Sequence, residues 1–374
     1  MNKDAMKNIF IFLFLSVLSG CNLDQDEALN SKEDYIFYAG TYTGSGSRGI
    51  YRGTIDANGY MVLEGLAAET ENPSFLAMNR SRNVLLAVNE TGPEGSVGSY
   101  QISGDTLIKL SGRKSGGAHP CFVDISDNGY VLTANYSSGT IGLLKIDRDG
   151  KLSELLDLKQ HEGQSVTERQ QGPHAHSASF MEGSTGVLSV DLGTDEVWFW
   201  DLDTAEKKLL PAKQQKLFIS PGAGPRHTAF HPKEEWIYVV NELNNTVSLL
   251  QRGSETYYHK GPSVATLPED FSGESFCADI HISSDGKFVY VSNRGHNSIA
   301  IFRVEPETGH LNLAGLSPTC GEWPRNFALT PGDKFVVVAN QHSNNIVSFS
   351  RDANSGMLSA VDTIALAEPV CILF

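Results

Sequence analysis

The chain has 374 residues, a formal net charge of −15 at pH 7, 40% hydrophobic residues and 36 glycines. This acidic balance argues against nucleic acid, which normally requires a basic protein face, and against other polyanionic partners. No glycine-rich phosphate loop of the P-loop or dinucleotide type is found, so the sequence offers no evident site for a nucleotide cofactor.

The first twenty residues predict an export signal. Lys3 and Lys7 place positive charge ahead of an apolar stretch, IFIFLFLSVL, that is too short to be a stable membrane-spanning helix. The LSGC sequence that ends at Cys21 matches the lipobox of bacterial lipoproteins, in which the cysteine is diacylated. We therefore expect residues 1–20 to be a lipoprotein signal peptide and Cys21 to attach the protein to a membrane.

Residues 21–34 predict a tether between the lipid and the folded domain. After Cys21 the sequence NLDQDEALNSKED is polar and acidic and has no apolar period, which is typical of a flexible segment. The expected location is the bacterial membrane, with the protein exported and lipid-anchored at the periplasmic face or at the cell surface. Since a tethered protein needs no partner to stay at the membrane, a monomer is the default expectation.

From Tyr35 onward the chain repeats a unit of roughly 50 residues, a period that fits a four-stranded propeller blade. Each copy has a proline or cysteine, an apolar stretch, and then a strand that ends in Asn or Asp. Seven positions align at the start of the copies: Pro73, Pro120, Pro173, Pro225, Cys277, Pro324 and Pro369. The pattern predicts an all-β, seven-bladed β-propeller that forms a single domain over residues 35–374.

The two ends of this domain predict how the ring closes. The final PVCILF begins a copy that has no continuation, whereas the two strand-like runs after Tyr35 precede the first full copy. We expect the N- and C-terminal strands to pair within one blade. Such pairing leaves no open sheet edge to recruit another chain.

Four cysteines follow Cys21, at Cys121, Cys277, Cys320 and Cys371. Three of them, all but Cys320, fall near the start of different copies, where a small buried side chain is needed. They are therefore predicted to pack rather than to form disulfides. The chain has no CxxC pair and no zinc-like spacing, so no metal site is predicted.

Polar side chains have collected at one place near the start of several copies. The innermost strands of a propeller converge on its axis, which makes them the natural lining of a binding site. By alignment on the prolines, His174, Arg226 and Arg325 share one register. Strand alternation places His176 on the same face as His174, and His119 precedes its proline directly.

A second group of polar residues follows the strand that ends in Asn or Asp. The Asn or Asp is predicted to have a structural role, because its side chain can bond to turn backbone. The next residue varies in chemistry between copies while its surroundings do not. Glu90, Glu242 and Arg294 are the ionisable residues at this position.

Several short motifs, in order, resemble the lactonase family of seven-bladed propellers, which includes 6-phosphogluconolactonases of propeller type and carboxy-muconate lactonising enzymes. The resemblance runs from about Tyr35 to Phe374 and rests on GTYT at Gly40, GIY at Gly49, GxHPC at Gly117, GPHAH at Gly172, GPRH at Gly224, VVNEL at Val239, VSNRGHNSI at Val291 and WPRNFALTPG at Trp323. It implies a catalytic set of His174, Arg226, Glu242 and Arg294. Whether His174 or His176 corresponds best is left open.

This resemblance implies hydrolysis of a sugar lactone. Glu242 or His174 would act as general base, and Arg226 and Arg294 would bind substrate anions and stabilise the oxyanion. His176, His119, Arg325 and Glu90 are expected to contact the substrate. No obligatory cofactor is expected, and an axial calcium ion, which many hydrolytic propellers hold, stays open.

Two other functions stay open on the sequence alone. A surface propeller could bind glycan or protein without catalysis, although it would have little reason to collect these charged residues at equivalent loops. A muconate-type lactonising cycloisomerase would use the same arginines for two carboxylates. An exported location also conflicts with a cytoplasmic phosphosugar substrate, which favours another sugar or uronic lactone.

Overall fold

A computed structural model describes residues 34–44, 46–253 and 257–374. The predicted signal peptide, the lipidated Cys21 and nearly all of the tether lie outside these residues. Residues 34–374 form one compact unit. Within the described part of the chain, no helix is both long enough and apolar enough to cross a membrane.

The described residues form seven four-stranded antiparallel sheets and one short 3-10 helix, Glu168–Gln170. From the axis outwards, the first blade contains β28 (Pro369–Leu373), β1 (Tyr35–Thr41), β2 (Gly49–Ile55) and β3 (Met61–Glu69). The second contains β4 (Leu76–Met78), β5 (Val84–Asn89), β6 (Ser96–Ser103) and β7 (Thr106–Lys114). The third contains β8 (Pro120–Ile125), β9 (Tyr130–Asn135), β10 (Thr140–Lys145) and β11 (Asp157–Gln160).

The remaining four blades follow in chain order, each again running from the axis outwards. The fourth contains β12 (Ala175–Phe180), β13 (Gly186–Asp191), β14 (Glu196–Asp203) and β15 (Lys208–Phe218). The fifth contains β16 (Pro225–Phe230), β17 (Trp236–Asn241), β18 (Thr246–Arg252) and β19 (Tyr258–Ala265). The last two contain β20 (Phe276–Ile282), β21 (Phe288–Arg294), β22 (Ser298–Val304) and β23 (Leu311–Pro318), then β24 (Pro324–Leu329), β25 (Phe335–Asn340), β26 (Asn345–Arg351) and β27 (Leu358–Ala365).

The first blade is built from both ends of the domain. Strand β28 pairs antiparallel with β1, and Ala39 lies opposite Ile372. The predicted fold and the predicted closure are both confirmed. Because this sheet joins the two ends of the domain, the ring of blades is closed and the inner strands are held around a common axis.

The core lies between neighbouring blades. The second strand of each blade is buried on both faces, which explains apolar runs such as WIYVV and KFVVVA. Phe37 of the first blade and Phe335 of the seventh, for example, belong to one buried cluster. Removing apolar surface between blades in this way is the main force that holds the ring together.

The asparagine that ends the second strand has the predicted structural role. Its side-chain amide donates to a carbonyl on the segment that arrives from the preceding blade. Asn135 bonds to Ser115 O at 3.2 Å, Asn293 to Thr266 O at 3.1 Å and Asn340 to Thr319 O at 3.1 Å. The residue that follows each asparagine is therefore held at a fixed place at the end of the second strand of its blade.

The cysteines at the starts of the copies are packing residues, as predicted. Cys121, Cys277 and Cys371 are buried, Cys320 is exposed, and no pair of these four forms a disulfide. Burial raises the pKa of the Cys277 and Cys371 thiols to about 12. Both thiols therefore stay protonated at neutral pH and are poor nucleophiles.

Candidate active site

Several inner strands contain a β-bulge, that is, one extra residue, close to their first residue. In β16, Pro225 lies opposite Asn241 and His227 lies opposite Val240, so Arg226 has no partner across the pair. The same register shift isolates Arg325 in β24. A bulge of this kind redirects one side chain out of the regular alternation, and the bulged Arg226 contacts Glu242.

The bulge corrects the alignment made on the prolines. In β12, Ala175 lies opposite Asp191 and Ser177 lies opposite Val190, which makes His176 the extra residue. The alignment of His174 with Arg226 was therefore wrong by two positions, and His176 is the structural equivalent. The cause is that this strand begins at Ala175, two residues after Pro173, because an irregular segment precedes it.

Glu242 is the centre of the cluster at the axis. It follows β17 directly, and its backbone NH donates to Gly224 O at 2.7 Å. Its Oε2 accepts from Arg226 Nε at 3.0 Å and lies 2.7 Å from Arg294 Nη2. Three of the four residues that the sequence indicated as catalytic are thus in direct contact.

A third guanidinium, Arg169, reaches the other oxygen of the same carboxylate, with Nη2 2.7 Å from Glu242 Oε1. Burial alone would raise the pKa of Glu242, but Arg294, Arg226 and Arg169 outweigh it and lower the pKa to about 2. The carboxylate is therefore ionised at neutral pH and has little tendency to take up a proton. Its evident role is to fix the arginines.

The two buried arginines are also held by backbone carbonyls of β20. Arg226 Nη1 donates to Ala278 O at 2.6 Å, and Arg294 Nη2 donates to Cys277 O at 3.0 Å. Burial, together with Arg294, lowers the pKa of Arg226 to about 10, so it stays charged at neutral pH. Both guanidiniums are positioned before any ligand arrives, which favours strong electrostatic effects.

Arg169 was not predicted, because it lies outside the repeat. It is part of the short helix between β11 and β12, where the buried Gln170 donates to Leu192 O at 2.8 Å and to Asp195 Oδ1 at 2.7 Å. Arg169 also donates to the Tyr136 hydroxyl at 3.2 Å and lies 5.5 Å from the centre of the Phe276 ring. Nothing in the periodic pattern marks this segment as part of the site.

A second ion pair lies beside the first. Arg325 Nη2 is 3.9 Å from Glu90 Oε2, and the Tyr42 hydroxyl donates to that oxygen at 2.8 Å. Within the described residues, this long ion pair and a position 5.3 Å from the centre of the Tyr42 ring are the contacts of the Arg325 guanidinium. Tyr42 was missed, although it too follows the second strand of its blade and so had a signal in the repeat.

The site carries an excess of positive charge. It contains four guanidiniums, those of Arg169, Arg226, Arg294 and Arg325, against the two carboxylates Glu242 and Glu90. The difference is 4 − 2 = +2, in a chain whose net charge is −15. Such a local reversal of sign attracts anionic ligands and developing negative charge.

His174 lies at the edge of this cluster and contacts it through Tyr136. Its Nδ1 is 3.0 Å from the Tyr136 carbonyl oxygen, which can only accept, so Nδ1 carries the proton of the neutral ring. The ring stacks on Tyr136 with centroids 4.5 Å apart. The unprotonated Nε2 is thereby left to accept a proton.

His176 and His119 differ in their surroundings. His176 is 4% exposed, and its ring edge contacts Tyr136 and His227. Burial and the nearby Arg226 hold the pKa of His176 well below its usual range, so it is neutral at pH 7. His119 instead bonds to Ser137 Oγ at 2.8 Å on the outer rim, and its described contacts do not reach the arginine cluster.

A buried network beneath the arginines was also missed. His227 Nδ1 lies 2.7 Å from Asp279 Oδ1, and Asp279 Oδ2 contacts His281 Nε2 at 3.0 Å and Asn326 Nδ2 at 2.5 Å. Burial and Arg226 lower the pKa of His227 to about 4. The Nδ1–H of the neutral ring donates a hydrogen bond to Asp279, and its Nε2 accepts one from Arg226 Nη1 at 3.3 Å. This network orients Arg226 from below.

A Ser–His–Asp arrangement that is sealed from solvent joins the segment after β11 to β13 of the fourth blade. His161 Nδ1 lies 2.8 Å from Asp191 Oδ2 and its Nε2 lies 3.0 Å from Ser189 Oγ, and all three side chains are 0% exposed. Trp200 Nε1 also donates to Ser189 at 3.1 Å. Asp191 in turn accepts from the His174 backbone NH at 2.8 Å. The arrangement therefore positions His174 and is not a nucleophilic triad.

We expect His161→Ala to lower the free energy of unfolding by about 3–4 kcal/mol, because it leaves Asp191 without its charged-hydrogen-bond partner and opens a cavity beside Trp198. Ser189→Ala should cost about 1 kcal/mol. Chemical denaturation of both variants tests this. Equal, small losses would show that the buried His–Asp contact contributes little.

Other cavities lie away from the cluster. One of about 820 Å³ is lined by Arg80, Asp124 and Phe180, near the turns that follow the inner strands at the opposite face. Its charged lining side chains are mostly acidic, and its Arg80 pairs with Asp127, so the arginine cluster is the better candidate for stabilising negative charge. Among the described ranges, no group of three or more His, Cys, Asp or Glu side chains is arranged to hold a metal ion.

The structure is thus a closed seven-bladed β-propeller with a cluster of pre-positioned arginines on its inner strands. More specifically, the chain belongs to the lactonase family of seven-bladed β-propellers, whose model matches residues 36–374. It is 38% identical over 346 residues to the 6-phosphogluconolactonase of Bacillus subtilis strain 168. The match covers 91% of this chain and 98% of that protein. The resemblance seen in the sequence is confirmed.

Solved structures agree with this assignment. A crystal structure of a protein from Lactobacillus plantarum is 34% identical, with a TM-score of 0.86, and the match covers 91% of this chain and 99% of that one. The periplasmic gluconolactonase of Pseudomonas aeruginosa is 29% identical, also with a TM-score of 0.86, and the match covers 91% and 99%.

Proposed function

We propose that the protein is a lactonase that hydrolyses a sugar lactone at the arginine cluster. The observation that carries this proposal is the group of buried, pre-positioned guanidiniums around Glu242. Opening of a lactone ring places negative charge on the carbonyl oxygen, and fixed cationic donors in a dry site stabilise that charge. The family and the B. subtilis relative support the same reaction class.

In this proposal His174 is the general base. Its Nε2 takes a proton from water while the water oxygen attacks the lactone carbonyl carbon, which gives a tetrahedral oxyanion. Arg226 and Arg294 stabilise the oxyanion. Collapse breaks the ring C–O bond, and the protonated His174 returns its proton to the leaving oxygen. The product is an open-chain hydroxy acid.

Of the two candidate bases, Glu242 is the less suitable. Because both of its oxygens are engaged by guanidiniums and its pKa is about 2, it is a poor base in this state. Instead, it holds Arg226 and Arg294 in position to stabilise the negative charge that develops on the carbonyl oxygen. This leaves the half-buried His174 as the proposed base.

The substrate class follows from the export prediction. A lipid-anchored protein outside the cytoplasm has little access to phosphosugars, so a sugar or uronic lactone without phosphate is the proposed substrate. The Pseudomonas relative, a periplasmic gluconolactonase, supports this choice. Fractionation of cells that express the full chain and a Cys21→Ser variant tests the location, since the variant should leave the membrane fraction.

We expect His174→Gln to lower kcat for lactone hydrolysis by about 10²–10³-fold with a small change in KM, because general-base catalysis contributes on that order. His259→Gln, on the exposed outer strand β19, is the matched control and should keep the wild-type rate. A steady-state assay of acid release measures both. Full activity in His174→Gln with loss in His176→Gln would move the base to His176, and full activity in both would overturn the assignment.

A further inference from the structure

Three guanidiniums contact the single carboxylate of Glu242, although one positive charge would be enough to neutralise it. Arg226 and Arg294, 2% and 5% exposed, already satisfy Glu242 Oε2. Arg169 adds a third positive charge at Oε1. Counting these contacts alone, the cluster holds three positive charges against one negative charge, so it can accept an additional anion.

Arg169 is also the one of the three that can move to a ligand. Its side chain is 43% exposed, and it projects from a segment outside the repeated strands. The backbone beside it is anchored by the buried Gln170, so the guanidinium can change partners without unfolding the segment. Its other contacts are the Tyr136 hydroxyl and the Phe276 ring.

We propose that Arg169 is a specificity-determining residue that releases Glu242 and binds the carboxylate of a uronic lactone; a lactone phosphate, which needs the same donors, is the alternative that the test distinguishes. Arginine suits this role because it can bind either group with two parallel hydrogen bonds. The exchange frees Glu242 Oε1 to accept a hydrogen bond from the attacking water or from a sugar hydroxyl. The proposal rests on the proposed lactonase function and names the selecting residue.

The test compares three lactones with the full chain and its Arg169→Gln variant: gluconolactone, which is neutral, glucarolactone, which carries a carboxylate, and 6-phosphogluconolactone. A charge-assisted hydrogen bond contributes about 1.5–3 kcal/mol, so the variant should lose about 10–100-fold in kcat/KM for an anionic lactone, mainly through KM. The neutral lactone should lose less than about 3-fold. The anionic lactone with the larger loss identifies the group that Arg169 binds.

Two further variants make the comparison specific. Arg169→Lys should restore part of the loss, since it keeps the charge but not the paired donors. Arg148→Gln, in an exposed turn of the third blade, should leave all three rates unchanged. Equal losses for neutral and anionic lactones in Arg169→Gln would overturn the proposal and assign Arg169 a structural role.

Binding measurements separate this proposal from the lactonase function. If the wild type hydrolyses none of the lactones, the proposed function fails, but calorimetric titration with gluconate, glucarate and 6-phosphogluconate still tests Arg169. The proposal then predicts that glucarate or 6-phosphogluconate, each of which has a second anionic group, binds more tightly than gluconate. Arg169→Gln should lose that preference. The same affinities in both proteins would overturn it.

Discussion

Replacement of Arg226 by Ala is expected to lower kcat/KM for lactone hydrolysis by about 10³-fold, the upper range for removal of one oxyanion donor. Arg226 is fixed by Glu242, by Ala278 O and by His227, so no neighbouring side chain is free to take its place. The measurement is the initial rate of acid release over a range of lactone concentrations. A fall in kcat with similar KM would assign the residue to the transition state.

Arg226→Lys is the informative companion. A lysine keeps the positive charge but cannot donate to Glu242 and Ala278 O in the same planar geometry. We expect it to recover only a small part of the activity. Full activity in the lysine variant would show that charge alone suffices and would contradict a role for the pre-positioned guanidinium.

The second large effect is expected for Glu242→Gln. Removing the carboxylate leaves Arg226 and Arg294 buried without a counter-ion, and breaking a buried pair in this way costs about 3–5 kcal/mol of unfolding free energy. Activity should fall as well, because the arginines repel one another and lose their positions. Chemical denaturation and the same lactone assay measure the two effects.

The stability difference between wild type and Glu242→Gln should depend on pH with a definite sign. The pKa of Glu242 is lowered from 4.5 to about 2 in the folded protein. Its contribution is therefore fully present above pH 4.5 and is lost as the pH falls from 4.5 towards 2. Glu90→Gln is the matched control and should cost less, since Arg325 is 3.9 Å away. A pH-independent difference would contradict the lowered pKa.

The repeat made the fold and much of the site predictable. Seven aligned copies fixed the blades, and the unmatched PVCILF required closure with the strand at Tyr35. Within a uniform scaffold, residues that differ between copies stand out, which is how Arg226, Glu242 and Arg294 were identified. Their mutual contacts follow because equivalent positions of a propeller converge at the axis.

What the sequence missed lies where the repeat gives no guidance. Arg169 comes from an irregular segment with no counterpart in the other blades, and its contact with Glu242 depends on the tertiary path of that segment. The sequence alignment matched His174 instead of His176 with Arg226. The reason is that β12 begins two residues after Pro173 and contains a bulge, which interrupts the regular alternation of side chains. The His227–Asp279 pair joins two inner strands, and sequence does not reveal which bulged side chains turn towards each other.

The most direct test of the account is acid release from gluconolactone, glucarolactone and 6-phosphogluconolactone by the full chain, beside Arg226→Ala at equal concentration. The account predicts that the wild type opens at least one of these lactones well above the spontaneous rate and that Arg226→Ala loses about 10³-fold of that activity. No turnover above the spontaneous rate, or turnover that Arg226→Ala leaves unchanged, would contradict catalysis at the arginine cluster and favour a propeller that only binds its ligand.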